Sequence, residues 1–570
     1  MEKRWSVAEP CPSDFAARLG VAPIVGQLLW NRGIKTKAEA ESFLHPSFED
    51  HIHDAGQFRH MPAAIERVFK ALDNHELITV HGDYDADGVT GSTLIINTLN
   101  ALKANVDSYI PHRDKEGYGL HRATVPKLKE RGTGLIITVD CGIACVDEIA
   151  LAKLDGIDTI VIDHHTFGEI VPDGHLIHPG LPEETYPFKS LAAVGVSYKF
   201  ACELLKQARD RGYAVPDGWE KWLLDLVAVA TVTDMVPLVG ENRVLETYGL
   251  KVLNKTRRPG FLALFEQAGI RPGAITSETV GFGIGPRINA AGRMDHASVA
   301  LRLLLSESMD EARLIAQELE SLNKQRQEAT KKMMGEAEKQ LAAQGEQGNV
   351  VVLWKEDWSP SLVGLVAGRF ADKLSKPVIG IGFHETHWIG SGRSIPTYNI
   401  TEAVKAAGEG ILTRSGGHAQ ACGFALEDAS KIPTFRDRLV AHAASIPKEE
   451  MVPLLAIDAE IPLSALTLEA AETMAALEPF GMGNPLPVFV SRNCRVLSSG
   501  TMGSTNAHAR FQLLDESGRV VKAVAFKMGG RAGEAPLGSS IDIVYTMSVN
   551  EWNGRRSAEA HVLDFSPCIS

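Results

Sequence analysis

The sequence lacks the apolar segments that mark membrane and secreted proteins. No apolar run approaches the roughly 20 residues that a membrane-spanning helix needs. Residues 1–5 (Met-Glu-Lys-Arg-Trp) do not resemble the start of a signal peptide, whose core is apolar. We therefore expect a cytoplasmic protein that has no membrane partner.

Paired cysteines are also missing. The seven cysteines show no C-x-x-C spacing, which argues against a disulfide framework and against a zinc ribbon. We expect Cys141 and Cys145 to be small buried side chains.

Positive charge is scarce, since the formal net charge is −13 at pH 7. This argues against a protein that coats nucleic acid non-specifically over its whole surface, but it leaves room for a local basic groove. Taken alone, each candidate arginine fits a solvated or ion-paired surface position better than a place in such a groove. The candidates are Arg257, Arg258, Arg287, Arg293, Arg369, Arg393 and Arg414.

The region from about residue 60 to residue 162 alternates predicted helices with short apolar strands. A chain of 570 residues has room for roughly three or four domains, so this region can form one of them. The predicted helices are 63–72, 91–102, 124–131 and 145–154, and the predicted strands are 77–80, 106–110, 135–139 and 159–162. Such alternation with near-continuous apolar strands predicts an α/β fold with a doubly wound parallel sheet.

Residue types that bind metal ions follow three of these strands. Because ligand sites of open α/β sheets lie at the carboxyl ends of the strands, we expect these side chains to meet at one edge. Carboxylates with imidazoles suit Mg²⁺ or Mn²⁺. The side chains are His81, Asp83, Asp85 and Asp87 after the first strand, Asp140 after the second and Asp163, His164 and His165 after the third; Asp234 follows a further apolar stretch, 222–232, that fits a helix or a strand.

The aspartate cluster has two other interpretations, of which the first is excluded. The residues from Asp83 to Gly88 match the start of a calcium loop, but that loop needs a bidentate glutamate where Leu94 stands, so a calcium loop is ruled out. The cluster also fits a solvated acidic turn. Singly, an aspartate can cap a helix and a histidine can be an ordinary core residue.

A long helix and a second α/β unit are predicted next. Ser308 and Glu311 fit a capping box, and helix-forming residues continue to about Gln344. A strand at 350–354 and a helix at 362–372 begin the second unit. Its glycine-rich segments, 390–394 and 415–418, let the backbone approach a phosphate, although such glycines also make ordinary turns.

The last hundred residues consist of short β runs. They are 488–490, 495–498, 509–514, 520–526, 541–549 and 558–565, with a hairpin turn at Asn553-Gly554. About five strands suit an OB-type β-barrel, a common binder of single-stranded nucleic acid. His508, Phe511, Phe526 and Trp552 are candidates for base stacking or for the core of the barrel.

Several of these motifs resemble those of a known family. The ordered set His81, Asp85, Asp87, Asp140, Asp163-His164-His165 and Asp234 is similar to that of the DHH phosphoesterase superfamily. The longer segments 81–91, 285–294 and 415–423 resemble its bacterial single-strand-specific 5′ exonucleases. Residues 358–361 (Trp-Ser-Pro-Ser) depart from the His-x-Gly expected there, which leaves the role of that loop open.

The sequence patterns and the resemblance together predict five regions. These are a helical lead-in at 1–50, in which residues 16–32 carry helix-spaced apolar side chains, a DHH catalytic domain at 51–300, a connecting helix at 301–345, a smaller α/β DHH-associated domain (DHHA1) at 346–450 and an OB-fold single-strand-binding domain at 454–570.

The resemblance also implies roles for individual residues. His81, Asp85 and Asp140 would hold one divalent ion, and Asp87, Asp140, His164 and Asp234 a second, with Asp140 shared; Asp83 is either a further ligand or an orienting residue. His165 would contact the scissile phosphate. Binding of substrate phosphate is assigned to Arg113, Arg287, Asn289, Arg293, Ser391, Arg393 and His418.

The expected activity is therefore hydrolysis of single-stranded DNA from its 5′ end to mononucleotides, with Mn²⁺ or Mg²⁺, in repair and recombination. The expected partners are single-strand-binding protein and a helicase, and the expected state is a monomer. The alternatives are a DHH phosphodiesterase for short oligonucleotides or cyclic dinucleotides, and a non-catalytic single-strand-binding replication scaffold.

Overall fold

The computed structural model describes residues 3–345, 348–552 and 554–568, without the side chain of Trp552. Asn553 of the predicted hairpin turn and the side chain of Trp552 therefore lie outside the described residues. The chain forms two compact units. One is drawn from Met1–Ile52, Pro237–Thr247 and Pro453–Ser570, and the other from His53–Val236 and Tyr248–Val452. Within the described ranges, no helix has the length and apolar character needed to cross a membrane.

The N-terminal segment is not purely helical, because it begins with a strand. Its elements are β1 (Arg4–Val7), α1 (Phe15–Leu19), α2 (Pro23–Asn31) and α3 (Lys37–Leu44). The helix-spaced apolar pattern from Ala16 to Arg32 is divided at Gly20, whose φ is 73°, before α2 begins at Pro23.

The next region is the predicted doubly wound sheet. It contains α4 (Met61–Asp73), β2 (Leu77–Gly82), α5 (Ala86–Ala101), β3 (Val106–Tyr109), α6 (Thr124–Glu130), β4 (Thr133–Val139), α7 (Val146–Leu154), β5 (Asp158–Ile162) and β6 (His175–Ile177). The five strands lie in the order β3-β2-β4-β5-β6, and every pair is parallel.

Helices cover both faces of this sheet. On one face, Ile136 and Val161 pack in a cluster with Val125 of α6 and Ile149 of α7. On the other, α5 crosses β4 so closely that a Cβ on Gly91 would lie 2.7 Å from Val139 Cγ1. The fold class predicted from the alternation is confirmed.

The segment between the two sheets is helical. It contains α8 (Ala193–Asp210), α9 (Leu224–Thr233), α10 (Gly240–Leu253), α11 (Pro259–Ala268), α12 (Ser277–Thr279), α13 (Gly285–Met294), α14 (Ser298–Leu305) and α15 (Met309–Gln344). The apolar stretch that fitted a helix or a strand is the helix α9. The predicted long helix is α15, whose N-cap Ser308 accepts a hydrogen bond from the backbone of Glu311.

A second, mixed sheet follows. Its elements are β7 (Val351–Trp354), α16 (Pro360–Leu374), β8 (Val378–His384), β9 (His387–Arg393), α17 (Ile400–Ala407), β10 (Arg414–His418), β11 (Ala421–Leu426) and α18 (Ile432–Ala443). The strand order is β10-β11-β9-β8-β7, in which only β7 and β8 are parallel. This is the smaller α/β domain.

The C-terminal strands form a closed ring of pairings. The elements are β12 (Leu454–Ile457), β13 (Ala459–Glu460), α19 (Leu468–Ala475), β14 (Phe489–Met502), β15 (His508–Leu514), β16 (Val520–Ala525), β17 (Ser540–Trp552) and β18 (Arg555–Pro567). Strand β14 pairs with β15, β15 with β16, β16 with β18, β18 with β17 and β17 with β14. The two predicted runs at 488–490 and 495–498 are one strand, β14.

The N-terminal helices share a core with this ring. Phe15, Leu28 and Leu29 pack in the same buried cluster as Phe489 and Tyr545. Strand β1 also pairs in parallel with β12. The boundaries at residues 50 and 454 remain predictions, but this shared core means that a cut at residue 454 would expose apolar side chains of the N-terminal helices.

Candidate active site

The metal-binding residue types lie near the point where the strand order of the sheet reverses. The chain runs from β2 outward to β3 and then returns to β4 on the other side of β2, so β2 and β4 flank the topological switch point. The aspartates at 83, 85 and 87 follow β2, and Asp140 follows β4. Ligands of doubly wound folds bind in the crevice at this position.

The aspartate cluster is held by its own local hydrogen bonds. Asp85 is the N-cap of α5, and its Oδ1 accepts from the backbone N–H groups of Asp87 at 2.9 Å and Gly88 at 3.3 Å. Gly88 is needed because a Cβ there would lie 2.5 Å from the carbonyl oxygen of Asp83. The helix therefore begins inside the motif, five residues before the predicted start at residue 91.

Asp87 is anchored by the start of α8. Its two carboxylate oxygens accept from the backbone N–H groups of Ala193 and Val194, each at 2.8 Å. A carboxylate at a helix N-terminus is favoured by the helix dipole. These bonds fix Asp87 while it is almost fully buried.

Asp140 adopts an unusual backbone conformation. Its φ is 61°, in the left-handed region where aspartate and asparagine are the most tolerated residues after glycine. The conformation is held by a hydrogen bond from Asp140 N to Ile162 O at 2.9 Å. Such strain is concentrated at functional sites.

His164 brings the separate strand ends together. Its Nε2 lies 3.3 Å from Asp140 Oδ1, 3.5 Å from Asp234 Oδ2 and 3.8 Å from Asp87 Oδ2. Candidate ligand atoms cluster in three groups: Asp83, Asp85 and Asp140; Asp87, His164 and Asp234; and Asp140, His164 and His165. The structure thus places Asp83 beside Asp85 and Asp140.

The donor set fits divalent cations. Four buried atoms of the site have no hydrogen-bond partner within the described part of the chain, namely His81 Nε2, Asp83 Oδ1, Asp140 Oδ1 and His164 Nε2. Burial and the neighbouring carboxylates, Asp87 first, raise the pKa of Asp140 well above its ordinary value. Burial and Asp87 likewise raise the pKa of Asp234 to about 9. A cation removes both the repulsion and the unmet bonding capacity.

The three histidines differ in charge. Burial lowers the pKa of His81 to about 4, and burial with the nearby His165 lowers that of His164 to about 4. His165 is the opposite case, because its hydrogen bond to Asp163 outweighs burial and raises its pKa to about 9. Neutral imidazoles can bind a metal ion, whereas a protonated one attracts phosphate.

Two residues of the site were not assigned roles from the sequence. Asp163 is an orienting residue, because its carboxylate accepts from the backbone of Ile143 at 3.0 Å and of His164 at 2.7 Å. Tyr118 Oη lies 2.9 Å from Asp140 O, to which it donates, and 3.0 Å from His165 Nδ1. No sequence pattern singled out Tyr118, and its contacts are seen only in the folded loop.

Three arginines form a second cluster. Arg113 lies over the ring of Tyr84, 4.6 Å from its centroid. Arg393 Nη1 donates to Ser391 Oγ at 2.9 Å. Burial and the neighbouring Arg113 lower the pKa of Arg293 to about 9. Burial lowers the pKa of Arg393 as well, with Arg113 contributing. Guanidinium groups that disfavour one another's charge form a site for an anion.

The other predicted phosphate-binding side chains have different surroundings. Arg287 Nε donates to Glu320 Oε2 at 2.7 Å, and Asn289 Oδ1 accepts from Ala86 N at 2.8 Å, at the start of α5. His418 is exposed at the end of β10, in register with Ala421, which in turn is in register with Arg393. The roles assigned to these residues stay predictions.

Comparisons with known proteins agree with this architecture. Family models match residues 77–231 (DHH family, N-terminal domain), 347–444 (DHHA1 domain) and 457–564 (RecJ OB domain). The single-stranded-DNA-specific exonuclease RecJ of Bacillus subtilis (strain 168) is 38% identical over 98% of this chain and 70% of its own length.

Solved structures agree as well. The crystal structure of RecJ in complex with Mn²⁺ from Thermus thermophilus is 31% identical, with a TM-score of 0.83, over 100% of this chain and 80% of that one. The Mg²⁺ complex from the same source is 29% identical, with a TM-score of 0.78, over 100% and 79%. The chain belongs to the RecJ family of single-stranded-DNA-specific exonucleases.

Proposed function

We propose that the chain hydrolyses single-stranded DNA from its 5′ end and releases 5′-mononucleotides during DNA repair and recombination. The observation that carries this proposal is the cluster of three carboxylates, from Asp87, Asp140 and Asp234, around Nε2 of the neutral imidazole of His164. Its unmet bonding capacity needs cations, and the arginine cluster supplies a place for a terminal phosphate.

Two divalent ions, Mn²⁺ or Mg²⁺, are the proposed cofactors. When bound, they supply Lewis acidity toward the phosphate oxygens and the attacking water. His81, Asp85 and Asp140 would hold one ion, and Asp87, Asp140, His164 and Asp234 the other. The place of Asp83 beside Asp85 and Asp140 favours it as an additional ligand of the first ion.

His165 is the proposed contact for the scissile phosphate. Its Nδ1 lies 2.9 Å from Asp163 Oδ1, which keeps the ring cationic and leaves Nε2 to donate to a phosphate oxygen. A preorganised cation stabilises the charge that builds up on the phosphate in the transition state. Tyr118 limits the movement of the same ring through its contact with Nδ1.

Recognition of the 5′ end is assigned to Arg113, Arg293, Ser391 and Arg393. Guanidinium groups bind phosphate oxygens with paired hydrogen bonds, and the Ser391 hydroxyl can donate one more. Both α/β domains contribute to this pocket, because Arg113 and Arg293 belong to the segment before α15 and the other two to β9.

The OB domain offers a face for single-stranded DNA. Phe526 is 50% exposed, and its ring centroid lies 5.4 Å from that of His508 and 5.5 Å from that of His561. Arg510 and Lys522 are exposed on the adjoining strands. Exposed rings beside cations bind unpaired bases and backbone together. Phe511 does not belong to this face, because it is 3% exposed and lies in the core.

The family resemblance also supports the remaining proposals. We expect a cytoplasmic monomer that works with single-strand-binding protein and a helicase.

The proposed activity is tested with DNA labelled at the 5′ or the 3′ end, single-stranded or duplex, in Mn²⁺, Mg²⁺ or EDTA. We expect immediate release of the 5′ label as mononucleotide, from single strands only and with metal only. Immediate release of the 3′ label, or equal release from duplex, would overturn the proposed polarity or specificity.

A further inference from the structure

The segment that departs from the family pattern makes a specific contact between the two α/β domains. Ser361 is the second residue of α16 and is 3% exposed. Its Oγ donates to Asp114 Oδ1 at 2.6 Å, and its carbonyl oxygen accepts from Arg293 Nη1 at 2.7 Å. A glycine at this position, as the pattern leads one to expect, would have no hydroxyl to make the first bond.

Asp114 lies in the loop at 111–118, one end of which contacts the active site. At one end of the loop, Tyr118 contacts Asp140 O and His165 Nδ1. Inside the loop, Glu116 accepts from the backbone N–H of His112 at 2.8 Å. Asp114 is the residue through which the loop reaches α16, and Arg113 is its neighbour in the chain.

The contact is placed where it can control Arg113. Arg113, Arg293 and Arg393 disfavour one another's charge, and the bond from Ser361 to Asp114 holds the residue next to Arg113 against the domain that carries Arg393. Ser361 Oγ provides a charge-assisted bond to a carboxylate, which is stronger than a neutral one. The carboxylate of Asp114 also faces the first turn of α16, where the helix dipole favours negative charge.

We propose that Ser361 and Asp114 form a latch between the two α/β domains that positions Arg113 for the 5′-terminal phosphate. The proposal rests on the proposed function of the arginine pocket. Ser361 and Asp114 are positioning residues, because they act on substrate through Arg113 and Arg293. The preference for a phosphorylated 5′ end then depends on a hydroxyl that is absent from the expected His-x-Gly pattern.

The test uses the full chain with metal and compares 5′-phosphorylated with 5′-hydroxyl single-stranded oligonucleotides. The variants are Ser361→Ala, Asp114→Ala, Asp114→Asn and the double variant Ser361→Ala/Asp114→Ala. Ser359→Ala is the matched control, since Ser359 is the N-cap of the same helix and its side chain makes no capping bond. Thermal unfolding checks the folding of each variant.

We expect Ser361→Ala and Asp114→Ala each to raise KM for the phosphorylated substrate about tenfold, with little change in kcat, because one charge-assisted bond is lost. KM for the 5′-hydroxyl substrate should rise less. Asp114→Asn keeps an acceptor oxygen and should retain most of the affinity. The double variant should raise KM for the phosphorylated substrate no more than either single variant does, because each single substitution already removes the same bond.

The outcomes separate the two proposals. Losses that multiply in the double variant, or equal losses on both substrates, would overturn the latch. If the wild-type chain prefers the phosphorylated end and Ser361→Ala keeps that preference, the latch alone is wrong. If the wild-type chain shows no preference for the phosphorylated end, the proposed phosphate pocket is wrong, and the proposed latch is then wrong as well.

Discussion

Asp163 Oδ1 lies 2.9 Å from Nδ1 of His165 and also accepts the backbone N–H of His165 at 3.1 Å. This relationship gives two consecutive histidines opposite charge states, since it raises the pKa of His165 to about 9 while burial lowers that of His164 to about 4.

Asp163→Asn should therefore move the alkaline limit of activity to lower pH. The substitution removes the negative charge that keeps His165 protonated, so the cationic ring is lost at a lower pH as the pH rises. The measurement is kcat against pH at saturating metal. Asp173→Asn, at an exposed aspartate paired with Lys153, is the control. An unchanged alkaline limit would contradict the role of Asp163.

Asp140→Asn should abolish nuclease activity, with a loss of at least about 1,000-fold expected for a shared ligand in a two-ion site. Asparagine tolerates the left-handed backbone at this position, so the fold should persist. In EDTA the variant should unfold at the same or a higher temperature than the wild type, because asparagine replaces a carboxyl group whose ionisation is disfavoured by burial and by the neighbouring carboxylates. Full activity, or unfolding well below the wild type in EDTA, would refute this account of Asp140.

The sheet that carries these residues could be predicted from the sequence, but several details of the site could not. The sheet could be predicted because its strands are short and apolar. The residues that follow the predicted strand ends at Val80 and Val139 could be placed at one edge because the two strands were expected to be parallel. The start of α5 was missed because Asp85 caps the helix, and a capping aspartate looks the same in a sequence as a metal ligand. The contacts of Tyr118 with His165 and of Asp163 with Ile143 depend on how segments distant in sequence meet, which no local pattern records.

In the C-terminal region, too, the strands could be predicted from the sequence but the positions of single side chains could not. Alternating apolar residues predicted the strands, but the predicted stacking residue Phe511 lies in the core while Phe526 is exposed. Both residues are aromatic and belong to neighbouring β runs. Phe511 lies on the buried face of β15 with Ala509 and Leu513, whereas Phe526 directly follows the last residue of β16.

Phe526→Ala should weaken binding of single-stranded DNA by about tenfold, since a stacked base is worth about 1–3 kcal/mol. The measurement is fluorescence anisotropy of a labelled oligonucleotide in EDTA, which prevents cleavage. A point variant is preferable to removal of residues 454–570, because the N-terminal helices share the core of this domain. Leu537→Ala, at a leucine that is 76% exposed, is the matched control. Unchanged affinity in Phe526→Ala would refute the proposed face.

Glu246→Gln should stabilise the protein at neutral and alkaline pH. Glu246 is 0% exposed on α10, and neither carboxylate oxygen has a hydrogen-bond partner in the described part of the chain. Burial raises its pKa well above the usual 4.5, so the folded state retains the proton to a higher pH than the unfolded state does. The free energy of unfolding therefore falls as the pH rises above the pKa of the unfolded chain.

The check is the unfolding temperature at pH 5 and pH 8. Glu246→Gln should raise it by about 2–4 °C at pH 8 and by less at pH 5. Glu409→Gln, at an exposed glutamate, should have no such effect. An equal gain at both pH values would argue against a buried, titrating carboxylate.

The most direct test of the central claim is the number of Mn²⁺ ions that the chain binds. Titration calorimetry on the metal-free protein should find two ions per chain, as expected for a two-metal phosphodiesterase. Asp140→Asn should lose high-affinity binding of at least one ion, because His164 Nε2 and the carboxylates of Asp83 and Asp85 converge on Asp140. Binding of no Mn²⁺ by the wild-type chain, or identical binding by Asp140→Asn, would contradict the account.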